Sequence, residues 1–131
     1  MSRQIAGQRL NKTDFYATPP WCYENLDIDW RLFSSAHEPC RGDGRIQFFL
    51  EEEKGLTCTY SEITEDKDFF EWNEGTDLIL TNPPFSIAQE FIDHALETCN
   101  TCIMLLRINY LGSITRHPWW KKNTPIALHV L

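Results

Sequence analysis

Two consecutive prolines, Pro83 and Pro84, directly after the apolar run Asp77-Leu78-Ile79-Leu80, set the tightest limit on how this chain can fold. Neither proline donates a backbone hydrogen bond and both fix φ at about −65°, so a strand over 77–80 must stop here and no helix can run through. Asn82 and Pro83 each precede a proline and are held extended. The run Thr81-Asn82-Pro83-Pro84-Phe85 therefore reads as a stiff shelf at a strand's end. Beyond it the spacing predicts a helix over 86–98, with Ser86 as N-cap, Glu90 near the capping-box position and Ile87, Phe91, Ala95 and Leu96 inward.

The same alternation of elements recurs on both sides. Pro19-Pro20 sets an extended turn, Trp21 to Leu26 reads as a short helix, and Leu32-Phe33 to Ala36 as a first strand, weakened by the polar Ser34, Ser35 and His37. From Asp43 to Lys54 the pattern is helical, with Ile46, Phe49 and Leu50 as an apolar stripe and Gly55 at the C′ position. Leu56 to Tyr60 is a second strand and Cys102 to Leu106 the strongest strand of all. A short helical stretch over 111–122 and a final strand over 126–131 complete the pattern. Strands alternating with helices of this length imply an α/β fold with a mostly parallel sheet and right-handed crossovers. Residues 1–13 lack periodicity and read as a flexible arm, leaving 14–131 as one domain, which is what 131 residues allow.

No apolar run is long enough to span a bilayer, and the N-terminal cations have no apolar stretch behind them as a signal would. Five cysteines, an odd number scattered through regular elements, fit reduced thiols and a cytoplasmic location. Cys99-Asn100-Thr101-Cys102 has redox-motif spacing but no companion pair, and no metal site is expected. The net charge of −7 excludes binding of nucleic acid by bulk electrostatics. Its distribution is uneven: every acid lies at or before Glu97, whereas Arg107, Arg116, Lys121 and Lys122 follow, with Trp119 and Trp120 among them. Those four cations read either as a nucleic-acid-facing patch or as a solvated basic helix end.

Glu38-Pro39-Cys40-Arg41-Gly42-Asp43-Gly44 lies between a strand and a helix, at the edge where open α/β sheets bind ligands. Gly42 and Gly44 let backbone approach a ligand, and Glu38 suits a cationic group such as an α-amine. The spacing is neither the dinucleotide fingerprint nor a P-loop, and an ordinary βα turn has the same composition. Glu62, twenty residues after the glycines, stands where an acid takes ribose hydroxyls. Asp68-Phe69 follows at the same edge and would place a carboxylate and a ring around an adenine, although Phe69 alone fits a core residue better than a ligand contact. On the shelf, Asn82 Oδ1 and the Pro83 carbonyl can accept both hydrogens of a planar amine, and Phe85 can stack on the ring that bears it.

With these motifs in this order, the chain resembles the amino-methyltransferases of DNA, in particular the adenine-specific enzymes of bacteria and their viruses. The likeness covers residues 14–131. Asp14-Phe15-Tyr16-Ala17-Thr18-Pro19 is similar to the family's N-terminal motif, whose tyrosine and Thr-Pro line the methionine end of the cofactor. Glu38 to Gly44 resembles the cofactor loop, Glu62 the ribose acid, Asp68-Phe69 the adenine clamp, and Asn82-Pro83-Pro84-Phe85 the catalytic tetrapeptide. The resemblance implies a Rossmann-like class I methyltransferase with helices on both faces of its sheet. It further implies S-adenosylmethionine as cofactor and N6 of a flipped adenine in DNA as acceptor. Tyr16, Thr18, Pro19, Glu38, Pro39, Gly42, Gly44, Glu62, Asp68 and Phe69 would bind the cofactor. Relatives carrying the same tetrapeptide act on guanine amines of ribosomal RNA, on cytosine or on a glutamine amide, and a non-catalytic binding module remains the rival from another class. Two departures stand out. Arg41 occupies a position that is often small, and the C-terminal hairpin that usually closes the family's sheet is incomplete, as is the specificity machinery, which a partner or a missing C-terminal segment would supply.

Overall fold

The computed structural model describes residues 17–131. Its centre is a four-stranded, all-parallel sheet of β1 (Ser35–Glu38), β2 (Thr57–Tyr60), β3 (Thr76–Thr81) and β4 (Cys99–Met104), in the order β2-β1-β3-β4. Helix α1 (Trp21–Glu24) precedes the sheet. Helix α2 (Arg45–Phe48) continues through a wider π turn to Glu53 and links β1 to β2, and α3 (Ala88–Thr98) links β3 to β4. Helix α4 (His117–Lys122) follows the sheet.

The central strand β3 shows why both faces are covered. Its side chains alternate, so Leu78 and Leu80 pack with Tyr23, Ile46, Phe49 and Leu50 from α1 and α2, while Ile79 packs with Ile87, Phe91 and Ala95 from the α3 side. A strand buried on both faces is an apolar run, as 78–80 is. Burying each such side chain contributes roughly 1.5–3 kcal/mol, so the middle of the sheet is the rigid base from which the strand ends project.

Several elements differ from the sequence reading. The first strand is Ser35–Glu38, not 32–36; Leu32 ends a 3-10 turn, Trp30–Leu32, and is 73% exposed. Asp29 caps that turn by accepting from the Arg31 amide. The polar residues that weakened the strand have partners: Ser35 Oγ accepts from the Asp77 amide at 3.0 Å, and the fully buried His37 bonds Thr59 Oγ1 at 2.7 Å and Ser61 Oγ at 2.8 Å. The third helix opens with a 3-10 turn, Phe85–Ile87, which places Ser86 inside the turn instead of at the N-cap. Leu96, expected inward, is 47% exposed, and Ile92 is buried in its place. Leu96 sits roughly 90° around the helix from the centre of the Ala88, Phe91, Ile92, Ala95 stripe.

The fourth strand starts at Cys99 with no intervening loop, so the Cys-Asn-Thr-Cys segment is strand and not a redox turn. The stretch over 111–122 divides into a 3-10 turn, Ile108–Gly112, and α4, with Pro118 in its first turn. Residues 126–131 form no strand; Ile126 and Val130 are 105% and 81% exposed. An alternating segment without a ladder partner can neither satisfy its backbone nor bury its apolar face. The expected start of the domain, 14–16, and the arm 1–13 lie outside the described residues.

Candidate active site

The carboxyl ends of β1, β2 and β3 lie side by side at one edge of the parallel sheet, and the residues singled out from sequence arrive there by separate routes. Pro83 and Pro84 are fully buried and Pro84 has φ −59° and ψ 125°, so the shelf after β3 is rigid as its composition requires. Thr18 is buried and its Oγ1 accepts a hydrogen bond from Asn82 Nδ2 at 3.2 Å. This bond, between residues 64 positions apart, fixes the amide so that Oδ1 is presented from the other side. Asn82 Oδ1 is buried and has no hydrogen-bond partner. Phe85 is partly exposed on the same shelf, and the Arg107 guanidinium lies over its ring, 4.7 Å from the centroid. Pro19 is exposed beside Thr18, and Tyr16 lies outside the described residues.

The glycine loop is held by the two acids expected to bind the cofactor. Glu38 Oε1 accepts from the Cys40 amide at 2.8 Å, across the buried Pro39, and Glu62 Oε1 accepts from the Gly42 amide at 2.8 Å. Glu62 Oε2 takes the Thr64 amide and hydroxyl. Gly42 and Gly44 have φ of 58° and 84°, left-handed values that a side chain disfavours. Arg41 does not crowd the loop's interior: it bonds Gln47 at 2.9 Å, reaches Glu65 and lies over the Tyr60 ring.

Electrostatically this edge is acidic. Burial pushes the fully enclosed Glu38 carboxyl up to about 8; nearby Glu62 adds to the rise, while Thr81 and the Cys40 amide oppose it. The Thr81 hydroxyl is buried without a hydrogen bond of regular geometry, though it lies close enough to Glu38 to favour the charged form. The Cys40 thiol is pushed up by burial and by Glu38 and Glu62, so it is not a nucleophile. His37, behind the site, is driven down to about 3 by burial and by His94; stacked on Trp72 at 3.7 Å, it is a neutral structural residue. Asp68 Oδ1 accepts from the Phe70 amide, whereas its buried Oδ2 has no partner. Phe69 is 2% exposed and wedged among Phe91, His94 and Trp72, so its ring belongs to the core and offers no open face to an adenine.

Comparison with protein-family models, with curated proteins and with solved structures finds no match to this chain. Among the described residues, the buried side-chain polar atoms that lack a partner are Asp68 Oδ2, Thr81 Oγ1 and Asn82 Oδ1. Thr81 ends β3 and Asn82 follows it, whereas Asp68 caps the Phe69–Glu71 turn beyond β2. An unmet buried acceptor costs roughly 1–3 kcal/mol, so each is a candidate to take an N–H group of a ligand. Glu38, close to Thr81 and Glu62, adds carboxylates to these acceptors, a set suited to a ligand that carries N–H groups.

Sequence reasoning did not single out Thr81 as a polar lining group, nor the Thr64 and Thr18 hydroxyls as supports; a threonine ending an otherwise apolar buried strand was the available signal. Of the four C-terminal cations, Arg107 alone meets the shelf. Arg116 is committed to Tyr110, over whose ring it lies at 3.8 Å and whose carbonyl accepts from its Nε. Lys121 and Lys122 are exposed in the last turn of α4. No helix among the described residues is long and apolar enough to cross a membrane, and none of their His, Cys, Asp or Glu side chains form a metal-holding group.

Proposed function

We propose that this protein transfers the methyl group of S-adenosylmethionine to an exocyclic amine of a nucleobase, with N6 of adenine in DNA as the acceptor. The observation that carries this reading is Asn82: an amide turned by Thr18 so that a buried oxygen waits without a donor. An exocyclic base amine brings two N–H groups. Asn82 Oδ1 receives one and the Pro83 carbonyl, next along the same rigid run, is the second acceptor. Held by both hydrogens, the amine is oriented and its lone pair is turned out of the ring plane. Phe85 stacks on the base.

Glu38 and Glu62 suit the cationic, hydroxyl-bearing half of the cofactor, and Asp68 Oδ2 an N–H of its adenine. When bound, S-adenosylmethionine supplies a methyl group on a sulfonium, already activated for transfer. What remains for the protein is alignment of donor and acceptor, which needs neither a covalent nucleophile nor a strong base. The proton left on the amine passes to solvent. The shelf accepts any planar conjugated amine, so the choice of adenine in DNA comes from the resemblance of the ordered motifs.

The test is label transfer from methyl-tritiated S-adenosylmethionine to unmethylated DNA, RNA and protein, followed by digestion and mass analysis of the modified base. N6-methyladenine is expected. Asn82→Ala should lower the rate at least ~100-fold, the scale of losing a positioned acceptor, while cofactor affinity by calorimetry stays within a few-fold. Label in protein alone would overturn the nucleobase reading, and wild-type activity in Asn82→Ala would remove the shelf from the mechanism.

A further inference from the structure

The contact between Arg107 and Phe85 joins two segments that the chain brings together only at the sheet edge. Thr81 and Leu105 still pair there, the Leu105 amide donating to the Thr81 carbonyl at 3.0 Å, so Arg107 leaves the sheet beside the shelf that begins at Thr81. Its guanidinium is 4.7 Å from the centroid of the Phe85 ring, the ring proposed above to stack on an acceptor base. The side chain is exposed, and among the described residues Arg107 makes no ion pair. An exposed cation on an aromatic face is weakly held, and the planar fork of a guanidinium is suited to phosphate.

We propose, on the reading of the site given above, that Arg107 is the acceptor-positioning residue. It covers Phe85, gives up that ring to the incoming base and pairs instead with the backbone phosphate beside the flipped nucleotide. The exchange makes the acceptor a nucleotide within a strand and not a free base or nucleoside, because only a strand brings a phosphate together with the ring that displaces Arg107. It also gives an acidic protein one placed cation at the point where the phosphate is needed. Arg116 cannot substitute, since Tyr110 already holds it.

Steady-state methylation with two acceptors, duplex DNA and free deoxyadenosine, tests this. Arg107→Gln should raise KM for DNA about tenfold with kcat within about twofold, and should lower the slope of log(1/KM) against log salt by about one. Activity on deoxyadenosine, which has no phosphate, should be unchanged or higher. Arg107→Lys should recover the salt slope. Arg31→Gln, an exposed arginine paired with Asp29 away from the site, serves as the control with wild-type values. Arg107→Gln with wild-type KM and slope on DNA would overturn the proposal while leaving methyl transfer intact, as would an equal loss on both acceptors. Absence of transfer by the wild-type protein to either acceptor would overturn the methyltransferase reading and this inference with it.

Discussion

Asn82 shows how little of a site's chemistry resides in one residue. Its amide oxygen is an acceptor in any orientation; what makes it a waiting acceptor is that Thr18 has taken the Nδ2 side at 3.2 Å. The identity and rigidity of the shelf were legible in Asn-Pro-Pro-Phe, because prolines act locally. The bond to Thr18 was not, although both residues were singled out, because nothing in a one-dimensional spacing of 64 residues specifies a contact. Thr18→Val removes the acceptor while keeping the shape. We expect kcat to fall about tenfold, the cost of losing alignment of one reacting group, with Thr18→Ser close to wild type. If the valine variant turns over normally, the amide is oriented by something else. Glu38 is a similar case: an acid at a strand end was legible, but its complete burial and its hold on the Cys40 amide were not. Phe69 had the right position for a clamp and went to the core, since ring, strand and helix compete for the same apolar space.

Elements were legible wherever periodicity was strong and local, as in α2, β3 and α3, and their ends were misplaced wherever a distant partner decided them. The first strand moved because His37, unfavourable in isolation, finds Thr59 on the neighbouring strand and Ser61 just beyond its end. The terminal segment 126–131 reads as a strand by alternation alone and has no partner, so it forms none. The inward face of α3 can be tested directly. Ile92→Ala should destabilise by about 2–4 kcal/mol and Leu96→Ala by less than about 1 kcal/mol, because only the first leaves a cavity. Equal urea midpoints would return Leu96 to the core. On the glycine loop, Gly44→Ala forces a left-handed residue at φ 84° and brings a Cβ to 3.3 Å from the Arg41 guanidinium. A loss of roughly 1–2 kcal/mol is expected from the backbone alone, together with weakened cofactor binding, whereas Leu96→Ala should leave binding untouched.

For the whole molecule, two buried titratable groups on one strand pull stability in opposite directions with pH. His37 has a folded pKa near 3, below its ordinary value, so the stability of its neutral form is present above about pH 6.5 and is lost as pH falls from there towards 3. Glu38 has a folded pKa of about 8, above its ordinary value, so stability is greatest below about pH 4.5 and is lost as pH rises from there to 8. Each slope is limited to about 1.4 kcal/mol per pH unit. Between about pH 4.5 and 6.5 the two cancel, which predicts a plateau; above it Glu38 alone tilts stability downward. Urea midpoints at half-unit steps from pH 5 to 8 read this out. Glu38→Gln should flatten the limb above pH 6.5, and an unchanged limb would mean that Glu38 ionises in the folded state without cost. A cationic ligand reverses the same linkage. Its charge beside Glu38 favours the carboxylate, so S-adenosylmethionine should raise the melting temperature more at pH 8 than at pH 6, releasing a proton on binding at the lower pH. The acid that lowers the stability of the fold above neutrality is thus the group that would make cofactor binding strongest there, coupling the stability of the molecule to binding at its site.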